Sequence, residues 1–142
     1  MSRLYIIAAI LNTPHNEKNI AHIFQRGLDL GFIIYDKYDQ DEDIYFKALD
    51  SNQAASTLLK LLEAPENDLW NAFLTVKFED IEFSIRITPN DSNTRVSIVL
   101  PSFPVWQRYL GDDDTIDFAR YIRFLLALCK DFSILELKTF AG

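Results

Sequence analysis

Three groups of side chains in this chain are of types that can do chemistry. They are two histidines, His15 and His22; two runs of carboxylates, Asp39, Asp41, Glu42 and Asp43, then Asp112, Asp113 and Asp114; and one thiol, Cys129. Placed on one helix, the histidines are about 10 Å apart along its axis, too far to share a metal ion unaided. They read as surface or capping groups. Asp39, Asp41 and Asp43 alternate as calcium ligands do, but a calcium loop needs glycine at its sixth position and glutamate at its twelfth. Counted from Asp39, those positions hold Ile44 and Asp50.

Nucleophilic catalysis finds little support. A serine or cysteine nucleophile needs a histidine base, and Ser51, Ser102 and Cys129 stand in no nucleophile-elbow pattern. Carboxylates are plentiful, but nothing selects one pair for hydrolysis. The four glycines, at 27, 31, 111 and 142, write neither a dinucleotide fingerprint nor a phosphate-binding loop. No enzyme activity, cofactor or metal is expected. The Asn90-Asp91-Ser92 sequon carries meaning only in a secreted chain.

Charge and aromatic content fit two readings: a surface that binds a basic partner, or plain solubility with Trp106 and Tyr109 capping the core and the acids solvating loops. The 142 residues hold 21 acids against 14 basic side chains, a net charge of −7. That balance disfavours nucleic acid and anionic membranes and favours encounter with a basic partner. Aromatic residues make up 13% of the chain, which predicts an aromatic-rich core with room for a few aromatics at a contact surface. Trp106 and Tyr109 immediately precede the acidic run at Asp112. The lone Cys129 forms no internal disulfide, lies in an apolar helical stretch as a buried structural thiol, and suits a reducing cytoplasm.

Positioning these groups falls to elements with clear periodicities. Leu4 to Leu11 is continuously apolar, as in a strand buried on both faces rather than a signal peptide. Asn12 or Thr13 is the expected cap of a helix with Pro14 at its first position, Ile20, Ile23, Phe24 and Leu28 on its apolar face and Gly31 as its stop. Phe32 to Tyr35 reads as a strand, Asp36 to Asp43 as an exposed acidic loop, and Ile44 to Leu49 as a short strand or helical turn. A helix is expected over Gln53 to Glu63, capped by Ser51 and ended by Pro65.

Three alternating runs follow: Leu74 to Phe78, Ile81 to Thr88 and Thr94 to Leu100. They predict an antiparallel meander with a wet face carrying Thr75, Lys77, Glu82, Ser84, Arg86, Arg95 and Ser97. Pro101 and Pro104 forbid a regular central strand, so Phe103, Trp106 and Tyr109 are expected on irregular backbone or a short helical turn. Ile116 to Lys130, with only Asp117, Arg120, Arg123 and Lys130 polar, is expected to be the main buried helix. Ser133 to Phe140 closes the chain as a strand. The whole is expected to be a single α+β domain over 1–142, with a mixed or mostly antiparallel sheet and helices packed on one face.

An amphipathic meander, an aromatic and proline-rich connector from Phe103 to Tyr109, an acidic entry to a buried helix and a closing strand at Ile134 to Phe140 give the chain a recognisable layout. It resembles the small acidic α+β immunity proteins that bacteria encode beside polymorphic or contact-dependent growth-inhibition toxins. The resemblance implies a cytoplasmic, non-enzymatic inhibitor of a cognate toxin domain, often a nuclease, that works by occluding its active site. On that reading Asp39, Asp41, Glu42, Asp43, Asp112, Asp113 and Asp114 pair with basic residues of the toxin, and Trp106 and Tyr109 anchor the contact. A small acidic secretion chaperone is the alternative, and a small hydrolase the third. Monomer and homodimer both stay open.

Overall fold

In a computed structural model, the structure describes residues 5–40, 43–48, 72–79, 81–100, 109–113 and 115–141. The elements in chain order are β1 (Tyr5–Pro14), α1 (Glu17–Leu30), β2 (Ile33–Gln40), β3 (Asp43–Ala48), β4 (Ala72–Phe78), β5 (Ile81–Asn90), β6 (Asn93–Leu100), α2 (Phe118–Leu128) and β7 (Ile134–Ala141). The strands form one sheet in the order β3-β2-β4-β5-β6-β1-β7. Every neighbouring pair is antiparallel, so the α+β class holds with an antiparallel sheet. The helix expected over Gln53 to Glu63 and the connector carrying Trp106 lie outside the described residues.

The meander forms as its alternation requires. Val76 stands opposite Phe83 and Leu74 opposite Ile85 between β4 and β5, and Ile85 in turn stands opposite Ile98 of β6. Ile81, Phe83, Ile85 and Ile87 of β5 therefore share a face with Val96, Ile98 and Leu100 of β6 and with Ile7, Ala9 and Leu11 of β1. The two described helices cover that face. Ile20, Ile23 and Phe24 of α1 and Tyr121, Phe124, Leu125 and Leu128 of α2 complete the core. The helices are tied together where Arg26 Nε donates to the Ala127 carbonyl at 3.1 Å.

Phe124 is the centre of an aromatic cluster. Its ring lies 4.5 Å from Phe78, 5.3 Å from Phe83 and 6.5 Å from Phe32, centroid to centroid. Edge-to-face geometry at Phe83 and Phe32 adds to the area these rings bury. Phe32 folds back over Gly27: a Cβ at that position would stand 1.3 Å from Phe32 Cε1. This glycine is required by close approach, since the chain leaving α1 folds back and lays the Phe32 ring where a side chain at position 27 would stand. Gly31, at φ 97, is the left-handed stop that the sequence announces.

Several expectations need correction. The cap of α1 is Asn16, whose Oδ1 accepts from the Asn19 amide at 2.9 Å, not Asn12 or Thr13. β1 continues to Pro14 because β6 holds it there: Pro14 stands opposite Asn93, and Thr94 Oγ1 lies 3.2 Å from the Thr13 and Pro14 carbonyls. The acidic segment from Asp36 is not a loop. β2 runs through it to Gln40 and pairs with β3, Asp36 opposite Lys47 and Tyr38 opposite Tyr45, so backbone pairing carries a segment whose composition looked like solvated surface.

On the face away from the helices, Ser84 and Ser97 are buried rather than wet. Ser97 stands between Arg86 of β5 and Ala8 of β1, with Arg95 and Val99 two residues along its own strand, and these longer neighbours shield it. The last helix lies with one face on the sheet. Tyr121, Phe124, Leu125 and Leu128 point inward, whereas Leu126 is 42% exposed, as expected of a helix lying on a single sheet face.

Candidate functional site

Where β4 turns into β5, three side chains from distant parts of the chain converge. Phe78 stands opposite Ile81, and the two-residue connection places Glu79 at φ 57, in the left-handed region that tight hairpins demand. The Tyr109 hydroxyl donates to Glu79 Oε2 at 2.8 Å and lies 3.1 Å from the Phe78 carbonyl. Arg120, in the first turn of α2, brings Nη2 to the same Glu79 oxygen. Its guanidinium carbon sits 3.9 Å from the centre of the Tyr109 ring. One carboxylate oxygen thus receives a phenol and a guanidinium that are themselves stacked.

The electrostatics follow from that geometry. Burial and the Glu79 carboxylate together push the Tyr109 phenol well above the usual tyrosine range. The Tyr109 hydrogen bond, and after it Arg120, hold the Glu79 carboxyl below its ordinary value. Tyr109 is held from behind as well: its backbone amide donates to the Tyr121 hydroxyl at 3.1 Å, and the two rings are 5.1 Å apart.

This polar trio rims an apolar pocket of about 310 Å³ whose floor includes Phe78, Phe83 and Phe124, with Arg123 on its wall. Its size is at the lower end for ligand and side-chain sites.

The loop that starts at Tyr109, one of the rim residues, carries acids. Leu110 pairs with Ile116, Gly111 N donates to the Thr115 carbonyl at 2.7 Å, and Asp117 N donates to the Tyr109 carbonyl at 2.9 Å. The result is a small pinned loop with Asp112 and Asp113 exposed. Asp113 Oδ1 accepts from Thr115 Oγ1 at 2.6 Å, which keeps its carboxyl below the usual range. The base of the loop runs into α2 through Asp117, whose side chain accepts from the Arg120 amide.

The sequence-derived partner residues therefore separate into groups. Tyr109, Asp112 and Asp113 lie within one short backbone-closed segment, and Tyr109 is half-buried and lines the pocket. Asp39 is the penultimate residue of β2 and Asp43 opens β3. β2 pairs with β4 through Ile33 opposite Lys77, beside Phe78, so Asp39 lies about 20 Å along the strand from that end of the sheet. Asp41, Glu42, Trp106 and Asp114 lie outside the described residues. Glu79 and Arg120 are the site residues that sequence reasoning passed over. The only signal for either was a polar residue in a tight connector and one in a helix stripe.

The histidines and the thiol take no part in this site. His22 Nε2 is 2.7 Å from Asp131 Oδ2, and its ring packs edge-on against Phe132 at 5.4 Å. Cys129 is fully buried, and burial pushes its thiol up to about 12. Among the described residues no three His, Cys, Asp or Glu side chains gather as a metal site requires, and no helix is long and apolar enough to cross a membrane. No protein-family model, curated protein or solved structure matches this chain.

Proposed function

We propose that this chain is a binding protein that neutralises a basic partner, most specifically a cognate bacterial toxin domain, by covering its active site. The observation that carries this reading is the pinned acidic loop beside an apolar pocket. Asp112 and Asp113 are exposed on the backbone-closed loop that begins at Tyr109, and Tyr109 itself lines a cavity large enough for one aromatic or aliphatic side chain. An apolar insertion point edged by oriented charge is the anatomy of an energetic centre with an electrostatic rim. Here the partner supplies the inserted side chain and this protein supplies the socket. The socket costs little ordering on binding, because Glu79, Tyr109 and Arg120 already fix one another.

The overall charge of −7 favours fast capture of a basic surface such as a phosphate-binding nuclease site. The second acidic position, at the far end of β2, is about 20 Å along that strand from the end of the sheet where Phe78 stands, and a standard interface covers a patch roughly 30 Å across. One partner can therefore engage both.

The experiment is co-expression in bacteria. The open reading frame adjacent to that of this chain is expressed alone and together with it, followed by affinity purification. Toxicity alone, rescue by this chain and salt-sensitive co-purification are the expected results. A neighbour that is harmless alone, or that stays toxic in the presence of this chain, would overturn the proposal.

A further inference from the structure

The outer strand β7 is an exposed edge among the described residues. It ends the seven-stranded sheet, and every residue from Leu135 to Thr139 is exposed. Leu135 is 57% and Leu137 41% exposed, and Leu135 is the most exposed large apolar side chain among the described residues. No proline or glycine interrupts this strand, and its bulge lies at its start, where Leu11 faces Ile134 and Ile10 faces Glu136. A long, regular edge with apolar side chains is a template for another strand unless something blunts it. The two charges here, Glu136 and Lys138, are of opposite sign and share a face, 3.5 Å apart.

We infer that β7 pairs with the β7 of a second copy of this chain, antiparallel about a two-fold axis through Leu137. The charge pattern selects both the partner and the register. With the axis at Leu137, Glu136 of each copy stands opposite Lys138 of the other, and Leu135 stands opposite Thr139. Moving the axis to Glu136 or to Lys138 places like charges face to face on it, which cross-strand pairing disfavours. Moving it by half a step sets residues of opposite faces against each other, which the pleat forbids. Only the Leu137 register satisfies the charges. It also puts the two exposed Leu137 side chains together on the helix-covered face, since Leu137 stands opposite Ala9 of the core. The contact is isologous and closed, so it stops at two copies, and the sheet runs continuously through both.

This pairing does not involve the pocket or the acidic loop, and it stands or falls independently of the proposed partner. The test is sedimentation equilibrium of the full chain with charge variants. Wild type is expected at twice the 16.5 kDa chain mass, falling to one on dilution. Glu136→Lys and Lys138→Glu each turn two symmetry-related attractions into repulsions and weaken the dimer about tenfold. The combined variant, Glu136→Lys with Lys138→Glu, restores it. Circular dichroism confirms that each variant folds.

Leu137→Cys gives a second readout, because facing residues of paired strands are within disulfide reach. Mild oxidation should link two copies quickly, while wild type, with Cys129 buried, stays unlinked. Wild type at a single chain mass at every concentration, or a dimer indifferent to both single reversals, would overturn the inference.

Discussion

The guanidinium of Arg120 lies 3.9 Å from the centre of the Tyr109 ring while both residues bind one oxygen of Glu79. Each contact restrains the other two, so the rim of the pocket is rigid before anything enters it. Two of the three groups have titrations shifted by this arrangement, which makes the relationship measurable.

Glu79→Gln removes the charge that helps hold the Tyr109 proton. The Tyr109 phenol should then titrate lower than in wild type, yet above an ordinary tyrosine, because burial is the larger cause of its shift. Tyrosine ring carbon shifts followed by NMR against pH check this. The converse variant, Tyr109→Phe, should raise the Glu79 carboxyl toward its ordinary value, since Tyr109 is the main cause of its depression. A depressed carboxyl favours folding at pH above its unfolded value of 4.5, and that contribution is lost as pH falls through the folded value. The acid side of the stability profile should therefore be shallower in Tyr109→Phe.

Gly27→Ala forces a methyl into the space occupied by the Phe32 ring. Phe32 is itself packed against Phe124 and only 3% exposed, so it cannot swing clear without disturbing the core. A loss of about 1–3 kcal/mol is expected in urea unfolding, despite the better helix propensity of alanine. Unchanged stability would mean that the α1 to β2 crossing is looser than the contact implies.

Asn16→Ala deletes the cap of α1 and should cost about 1 kcal/mol. Asn12→Ala is the control that separates this from the sequence-based expectation. Asn12 is an exposed strand residue, and its backbone amide, which bonds Ser133, survives the substitution. Chemical denaturation of the two variants decides between them.

Replacing Asp112 and Asp113 by lysine should leave the fold intact, because both are exposed and their loop is closed by backbone hydrogen bonds. Against a partner found by co-expression, association should slow and become less dependent on salt. Stopped-flow association at two ionic strengths measures both. Equal rates in wild type and variant would remove this loop from the interface.

Cys129 should be inert to a thiol reagent at pH 8 in the folded protein, since burial raises its thiol to about 12 and closes access. Labelling in denaturant should be complete. The native rate then reports opening of the α2 end of the core.

Much of the fold was legible in local pattern. The alternation of Ile81 to Thr88 and of Thr94 to Leu100 marked which residues face the core, and Phe83, Ile85, Ile87, Val96, Ile98 and Leu100 are buried, although Ser84 and Ser97 on the other face are buried as well. Continuous apolar character marked β1 as doubly covered, and Ile7 to Leu11 are all buried. Gly31 announced the end of α1 because no other residue type enters its backbone region so cheaply. Period and backbone freedom are properties of consecutive residues, so they are written in the sequence itself.

The acidic run from Asp36 misled because composition does not record a pairing partner, and the strand exists through its backbone bonds to β3. The α1 cap misled for a similar reason, since bonds from Thr94, 80 residues later, keep Pro14 in the sheet. The site itself was beyond local reading. Glu79 and Arg120 are 41 positions apart, and Tyr109 is 30 from the carboxylate it bonds. Sequence determined which face of each element is apolar, and hence the layers. Only the tertiary packing of α2 across the end of β4 decided which polar side chains meet, because a hydrogen bond depends on distances that chain order does not set.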